Sequence, residues 1–245
     1  MNRKLPSVMI LLSIAALAGC SNPPLIDAVD SGDLAMVKAL LGDGAEEVNT
    51  RNKSNDPALS IAIRKGYLDI ANLLLANNAD VNLKGDVGVT PLMLAASGAH
   101  TALVRELLDK GADVDARDRM GNTALIIMPG TDEPGIIELL LDNGADIHAR
   151  NANGLDALMV AAYLGHIGII NVLLSNNADI KAAANDGHTA LMRAARQGHL
   201  EVVHRLLENG ADPAAHNKNG DTALTWAMDK KHFEVAQLLE RTDSQ

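Results

Sequence analysis

A period of 33 residues runs through most of the chain, and a repeat of that length limits what the chain can fold into. One register reads Asn78-Ala79-Asp80, Gly111-Ala112-Asp113, Gly144-Ala145-Asp146, Asn177-Ala178-Asp179 and Gly210-Ala211-Asp212. A second reads Leu59, Leu92, Leu125, Leu158, Leu191 and Leu224. A unit this short cannot bury its own apolar face; it can do so only against a neighbour of the same kind, so a stack is expected. Composition agrees. Hydrophobic residues make up 47% of the chain but aromatics only 2%. A core filled by Ala, Leu, Ile, Val and Met suits thin layers of closely packed helices, whereas a globular core would draw on large aromatic side chains.

Local chemistry repeats with the same period. Leu103-Val104-Leu107-Leu108 and Val202-Val203-Leu206-Leu207 place apolar residues on one helical face. Thr90, Thr123, Thr189 and Thr222 stand where a hydroxyl caps a first helix, and Pro91 suits the first helical position. Gly or Asn before Ala-Asp ends a second helix in the left-handed conformation, which Asn78 and Asn177 tolerate best among non-glycines. Gly88, Gly121, Gly154, Gly187 and Gly220 mark a turn two residues before each cap.

These motifs, with Thr90-Pro91-Leu92 the fullest copy, resemble ankyrin repeats over about residues 24–241. The resemblance implies an all-α repeat solenoid of seven repeats. Each is a helix–turn–helix with a β-hairpin finger, in right-angled, L-shaped layers. Their bounds are about 24–49, 50–82, 83–115, 116–148, 149–181, 182–214 and 215–241, within a repeat domain of 25–241. Three departures stand out. The family's His after Thr-Pro-Leu is replaced by Ser60, Met93, Ile126, Met159, Met192 and Thr225. The first unit keeps Gly44-Ala45 but gains an acidic residue at Glu46 or Glu47. The fourth reads Met128-Pro129-Gly130-Thr131-Asp132-Glu133, with Pro129 expected near the end of its first helix and Pro134 restarting the second. That segment is either tolerated drift at a helix end or a reshaped notch in a binding face.

The first twenty residues read differently. Arg3 and Lys4 precede an apolar run from Val8 to Ala18, too short to span a bilayer but suited to a secretion signal. Leu17-Ala18-Gly19-Cys20 resembles the bacterial lipobox. This implies a signal peptide over 1–19, a lipidated Cys20 and a short tether over 20–24; ordinary cleavage after Ala18 is the alternative. Ser21, in place of the Asp that marks inner-membrane retention in that family, implies a lipid anchor in the periplasmic face of the outer membrane. The tether of Ser21, Asn22, Pro23 and Pro24 reaches at most roughly 14 Å, which keeps the folded body near the bilayer.

Catalytic and metal signatures are weak. No HExxH, GxSxG, Walker or dinucleotide fingerprint occurs. His100, His166, His199 and His232 share one repeat position, and packed helices about 8–10 Å apart keep adjacent copies from readily sharing an ion. No cofactor, no metal and no enzymatic activity are expected. The formal charge of −10 argues against a general nucleic-acid binder.

Charge is distributed unevenly, however. Arg51, Lys53, Lys84, Arg117, Arg119, Arg150 and Lys218 lie in the fingers, against Asp86, Asp118 and Asp186, a net +4. Arg64, Lys65, Arg196 and Lys230 extend the basic lining along the first helices. Such a field either steers an acidic partner or simply keeps the tips solvated. Within this rim the alignment to the family places Val87, Val89, Met120, Leu155, Tyr163 and Leu164 at variable outward positions, while Trp226 and Phe233 fall in the core of the last repeat. The resemblance then implies binding of another protein with an acidic contact surface, by a chain that is monomeric when unbound. One form of this is an immunity protein that neutralises a periplasm-acting toxin such as a phospholipase; another is an envelope scaffold with a stress-protection role. Replacing Cys20 by Ser is expected to abolish incorporation of labelled palmitate and to move the protein out of the membrane fraction. Unchanged labelling would remove the anchor.

Overall fold

The computed structural model describes residues 22–42, 47–127 and 130–242. The leader with Cys20, the Gly44-Ala45-Glu46 segment and Met128-Pro129 lie outside the described residues. Thirteen helices follow one another among the described residues: α1 (Pro24–Ser31), α2 (Leu34–Gly42), α3 (Ala58–Arg64), α4 (Leu68–Ala76), α5 (Pro91–Ser97), α6 (Thr101–Asp109), α7 (Pro134–Asp142), α8 (Ala157–Leu164), α9 (Ile167–Ser175), α10 (Ala190–Gln197), α11 (Leu200–Glu208), α12 (Ala223–Asp229) and α13 (Phe233–Thr242). They alternate as first and second helices of successive units, except that α7 has no first helix before it.

First helices pack closely because a small residue recurs at their contact. Ala62, Ala95, Ala161, Ala194 and Ala227 are spaced by multiples of 33 and all have no exposed surface. Leu, Ile and Val fill the second-helix layer, for example Leu74, Leu107, Leu140, Leu173 and Leu206, also fully buried. The closest packing between successive units runs along the first helices, most tightly through α8, α10 and α12. The stack therefore curves with the first helices and fingers on its inner side.

The fingers are tight turns. Gly88, Gly121, Gly154, Gly187 and Gly220 each donate to the carbonyl three residues back, at 2.9–3.0 Å. Expected β-hairpin strands are absent among the described residues, where only two isolated bridges occur, Arg51 with Pro57 and Ala183 with Thr189. A five-residue turn leaves too few flanking residues for a ladder. Successive tips are nonetheless joined, Arg119 N–H to Val87 O, Ala152 to Met120, Asn185 to Asn153 and Lys218 to Asp186. Gly187 shows why glycine is used: its φ is +85°, and a Cβ there would meet Lys218 N at 2.9 Å.

The recurring polar residues close the remaining gaps. Thr90, Thr189 and Thr222 accept from the backbone N–H three residues on, capping α5, α10 and α12. Asp80, Asp113, Asp146, Asp179 and Asp212 accept from the N–H two residues on. Asn49, Asn82 and Asp115 accept from the N–H of Asp80, Asp113 and Asp146 in the next unit. Asn78 and Asn177 adopt φ of 63° and 64° at the second-helix ends.

The fourth unit departs further than the sequence suggests. Its first helix, expected to run to about Pro129, is reduced to one turn over 124–126, with Ile126 and Ile127 both donating to Thr123 O. Pro129 supplies no N–H and disfavours helical backbone in the residue before it, so a helix starting at 124 has no room for a second turn. The capping hydroxyl of Thr123 is left buried without a partner. Pro134 does open α7. Asp132, at the usual inter-helix Gly, reaches into the next unit, where Gly168 N–H and Ile169 N–H donate to its carboxylate at 2.6 and 2.9 Å.

Asp156 replaces the capping Thr of its neighbours and accepts from Met159 N–H at 2.9 Å. Burial pushes its carboxyl above the ordinary value, against the pull of the Met159 N–H and of Arg150. A raised folded-state value means that the protonated form is the better accommodated one. The associated stability is full below the unfolded carboxylate value and is lost as pH rises through the folded one. Asp156→Thr, which keeps the cap and removes the charge, is expected to raise the urea midpoint at pH 7, with the gain shrinking as pH falls towards 4. A lower midpoint at pH 7 would reverse this assignment.

Candidate functional site

Arg51, Lys84, Arg117 and Arg150 occupy one position in four successive fingers, and the structure gives each the same task. Each donates to the backbone carbonyl of the residue 33 positions on: Arg51 Nη1 to Lys84 O at 2.8 Å, Lys84 Nζ to Arg117 O at 2.9 Å, Arg117 Nη1 to Arg150 O at 2.7 Å and Arg150 Nη1 to Ala183 O at 3.1 Å. Ala183 ends the series. Arg117 also bonds Gly121 O within its own turn, at 3.1 Å. These side chains stand in the fingers as expected, but part of their donor capacity is used in tying finger to finger.

Other cations of the rim are paired. Arg64 Nη1 lies 2.8 Å from Asp56 Oδ2, and that hydrogen bond holds the Asp56 carboxyl below its ordinary value despite some burial. Arg119 Nη2 lies 3.3 Å from Asp86, and Lys65 Nζ 2.8 Å from Asp30. Lys53 and Lys218 are exposed and make no ion pair among the described residues.

The apolar set divides. Val87 and Met120, each 53% exposed, sit on adjacent finger tips. Val89 and Leu155 are half-buried against the core. Tyr163 and Leu164, 47% and 38% exposed, lie at the far end of α8, about 12 Å along an eight-residue helix from its finger. The structure does not gather these six into one patch. Tyr163 instead shares its repeat position with Arg196, one unit on.

Trp226 and Phe233 are corrections to the sequence reading. Phe233 is 66% exposed. It occupies the row of Leu68 and Leu200 at the start of a second helix, and both of those are already more than a third exposed. Trp226 is half-buried under cations. Arg196 Cζ lies 4.5 Å from its ring centroid and Lys230 Nζ 5.8 Å, while the His188 ring is 5.5 Å away and tilted by 45°. Asp186 Oδ2 stands 3.1 Å from His188 Nδ1 and 3.6 Å from Arg193 Nη2. Burial works to raise the Asp186 carboxyl, but the His188 N–H and the charges of His188 and Arg193 outweigh it and hold it low. Arg196 was anticipated at this face; His188, Arg193 and Trp226 were not. The available signal was the row Ile61, Leu94, Ile127, Val160, Arg193, Trp226, in which the last two break an apolar series.

Histidines at the shared repeat position pack between units. His199 Nε2 is 3.0 Å from Tyr163 O and His232 Nε2 is 3.1 Å from Arg196 O. Among the described residues, no three His, Cys, Asp or Glu side chains come together as a metal site.

Comparison with known proteins agrees with this architecture. A family model for ankyrin repeats, three copies long, matches residues 1–85, 59–151, 127–217 and 158–244. The chain is 38% identical over 74 residues to alpha-latrocrustotoxin-Lt1a of Latrodectus tredecimguttatus, covering 30% of this chain and 5% of the toxin. It is 42% identical over 74 residues to a B-cell lymphoma 3 protein homolog of Mus musculus, covering 30% and 16%. It is 37% identical over 71 residues to the mouse 2-5A-dependent ribonuclease, covering 29% and 10%. The similarity thus spans a small part of each relative.

Arg117→Ala removes one rung between fingers. It is expected to destabilise the fold by about 1 kcal/mol, given that the bonds are charge-assisted but solvent-exposed. Lys53→Ala, on a finger tip without such a rung, should stay within about 0.5 kcal/mol of the parent. Urea unfolding followed by circular dichroism separates the two; equal midpoints would deny the rung its structural part.

Proposed function

This chain belongs to the ankyrin-repeat family, and on that premise we propose that it is a lipid-anchored protein-binding module of the bacterial envelope. Ankyrin repeats imply a protein–protein interaction module, and the family is typically a non-enzymatic scaffold. The activity named for the mouse ribonuclease belongs to a chain matched over only 10% of its length and is not carried over. The finer reading has seven repeats in L-shaped layers, attached through Cys20 to the periplasmic face of the outer membrane, monomeric when free and gripping an acidic protein surface. Among the described residues no helix is long and apolar enough to cross a membrane, so attachment in this reading falls to the lipid.

The observation that carries the reading is the inner face itself. Val87 and Met120 are exposed on adjacent finger tips, Tyr163 and Leu164 at the far end of α8, and Lys53, Arg119, Arg196 and Lys218 on the fingers and first helices. Apolar anchors within a charged rim suit a macromolecular partner. The concrete form is an immunity protein that occludes the active-site mouth or membrane-docking face of a periplasm-acting toxin, such as a phospholipase. Because α1 opens at Pro24, a tether of only Ser21, Asn22 and Pro23 would hold the inhibitor where such a toxin attacks.

The test is affinity capture from detergent-solubilised envelopes, with mass spectrometry of the retained proteins. A secreted hydrolase is expected on the parent chain and absent from the Met120→Glu, Tyr163→Ala double variant, which touches no core residue. Deletion should sensitise cells only to competitors that deliver that hydrolase. Retention of a resident envelope protein, with stress sensitivity in the absence of any competitor, would replace the immunity reading by the scaffold. Identical capture by parent and variant would remove the inner face as the binding surface.

A further inference from the structure

Two cations, Arg196 and Lys230, lie over the chain's single tryptophan on the first-helix side of the last two units, with Arg193 nearby on the same helix as Arg196. Arg193 and Arg196 stand one turn apart on α10; Trp226 lies on α12, and Lys230 follows its end. Arg196 stacks on the indole and pairs with no carboxylate within ion-pair distance among the described residues. A guanidinium stacked on a ring keeps its N–H edges available, and its planar fork matches the two oxygens of a carboxylate. Stacking also restrains a long side chain in advance, so less freedom is lost on binding.

The surroundings define the charge of what fits. Arg193 is matched by Asp186 and Lys230 by Asp229, the latter pair 2.9 Å apart. Arg193, Arg196 and Lys230 against Asp186 and Asp229 leave one positive charge, with His188 beside Asp186 outside this count. A single carboxylate balances it, whereas a phosphate dianion would exceed it and meet repulsion from Asp186 and Asp229. Two donors of the same cluster, Arg193 Nε and Trp226 Nε1, are buried without an acceptor. Unsatisfied donors of this kind are uncommon in folded proteins and ask for an explanation. Tyr163, one unit earlier in the row of Arg196, adds an exposed aromatic wall.

We propose that Arg196, stacked on Trp226 and flanked by Lys230, recognises a carboxylate side chain in an acidic segment of a partner protein. This rests on the binding-module reading and gives its partner a chemistry. The anchor carboxylate takes the Arg196 fork, and neighbouring residues of the segment run along Tyr163.

Trp226 is its own reporter. The full chain in detergent micelles is titrated at low salt with end-blocked hexaglutamate, and tryptophan emission is followed. A saturable change is expected, with its half-point raised at least ten-fold in Arg196→Ala and unchanged in Lys38→Ala, an exposed position on α2 in the first unit. End-blocked hexaserine and inorganic phosphate should give no saturable change over the same range. Should Arg196→Ala fail to fold by circular dichroism, Arg196→Lys takes its place; it keeps the charge, loses the fork and is expected to weaken binding several-fold. No response to hexaglutamate, an equal response in the Arg196 variant, or an equal response to phosphate would each overturn the proposal. If envelopes yield no partner while the peptide response persists, the proposed function fails and this site stands. If capture persists without the peptide response, the reverse holds.

Discussion

The column of fully buried alanines on the first helices sets the geometry on which the other features depend. Interaxial distance follows the size of the side chains at the contact. Alanine on the inner row and Leu, Ile or Val on the outer row make the inner spacing shorter, and a stack with unequal spacings must curve. Curvature turns first helices and fingers into one recessed surface. The alanine register also breaks where the stack is irregular. In the fourth unit the sequence register falls on Met128, outside the described residues, and the preceding 124–126 form a single turn instead of a helix. A proline at 129 by itself works against a longer first helix in this unit.

Small apolar contacts do not fix how one unit is rotated against the next; directional bonds do. Side chains at 49, 82 and 115 bind the backbone of the following unit, as do Arg51, Lys84, Arg117 and Arg150. This changes how the basic fingers should be read. A cation used to bridge two backbones still contributes its charge to the surrounding field, and so still steers an acidic partner. It offers fewer donors for a direct contact. Cations outside the bridging row, such as Lys53, Lys218 and Arg196, are therefore better placed to discriminate between partners.

Much of the fold was legible because its rules are local and repeat. The caps at Thr90, Thr189 and Thr222, left-handed Asn78 and Asn177, and the turn glycines each follow from the chemistry of one or two residues, and the structure places them as expected, whereas Thr123 caps nothing. The site was less legible for the opposite reason. That Arg117 meets Arg150 O depends on the spacing between units, which no single unit encodes. In hindsight a basic residue recurring in register from unit to unit is itself a sign of a ladder. Phe233 and Trp226 were assigned to the core by register alone, yet a register position is buried only as far as the next unit covers it. The row of Phe233 is already more than a third exposed at Leu68 and Leu200, where a unit follows, and Phe233, in the last unit, is more exposed still.

The weak fourth unit shows how the stack stays continuous. In a solenoid each unit is supported only by its neighbours, so losing an inner helix should uncouple the two halves. Three connections oppose this. Helix α7 packs against α6 on one side and α9 on the other, which preserves the outer row. Asp132 caps the second helix of the fifth unit, where a glycine would supply no acceptor. The finger rungs also pass through the damaged unit without a gap, since Lys84 bonds Arg117 O and Arg117 bonds Arg150 O. Polar bonding at the edge therefore maintains the alignment where apolar packing on the inner row is missing. The tightest inner packing then begins with α8, and the Arg196–Trp226 cluster is built on the next two first helices, α10 and α12. A recognition site that relies on a pre-oriented guanidinium needs such a rigid base, and this half of the stack supplies it.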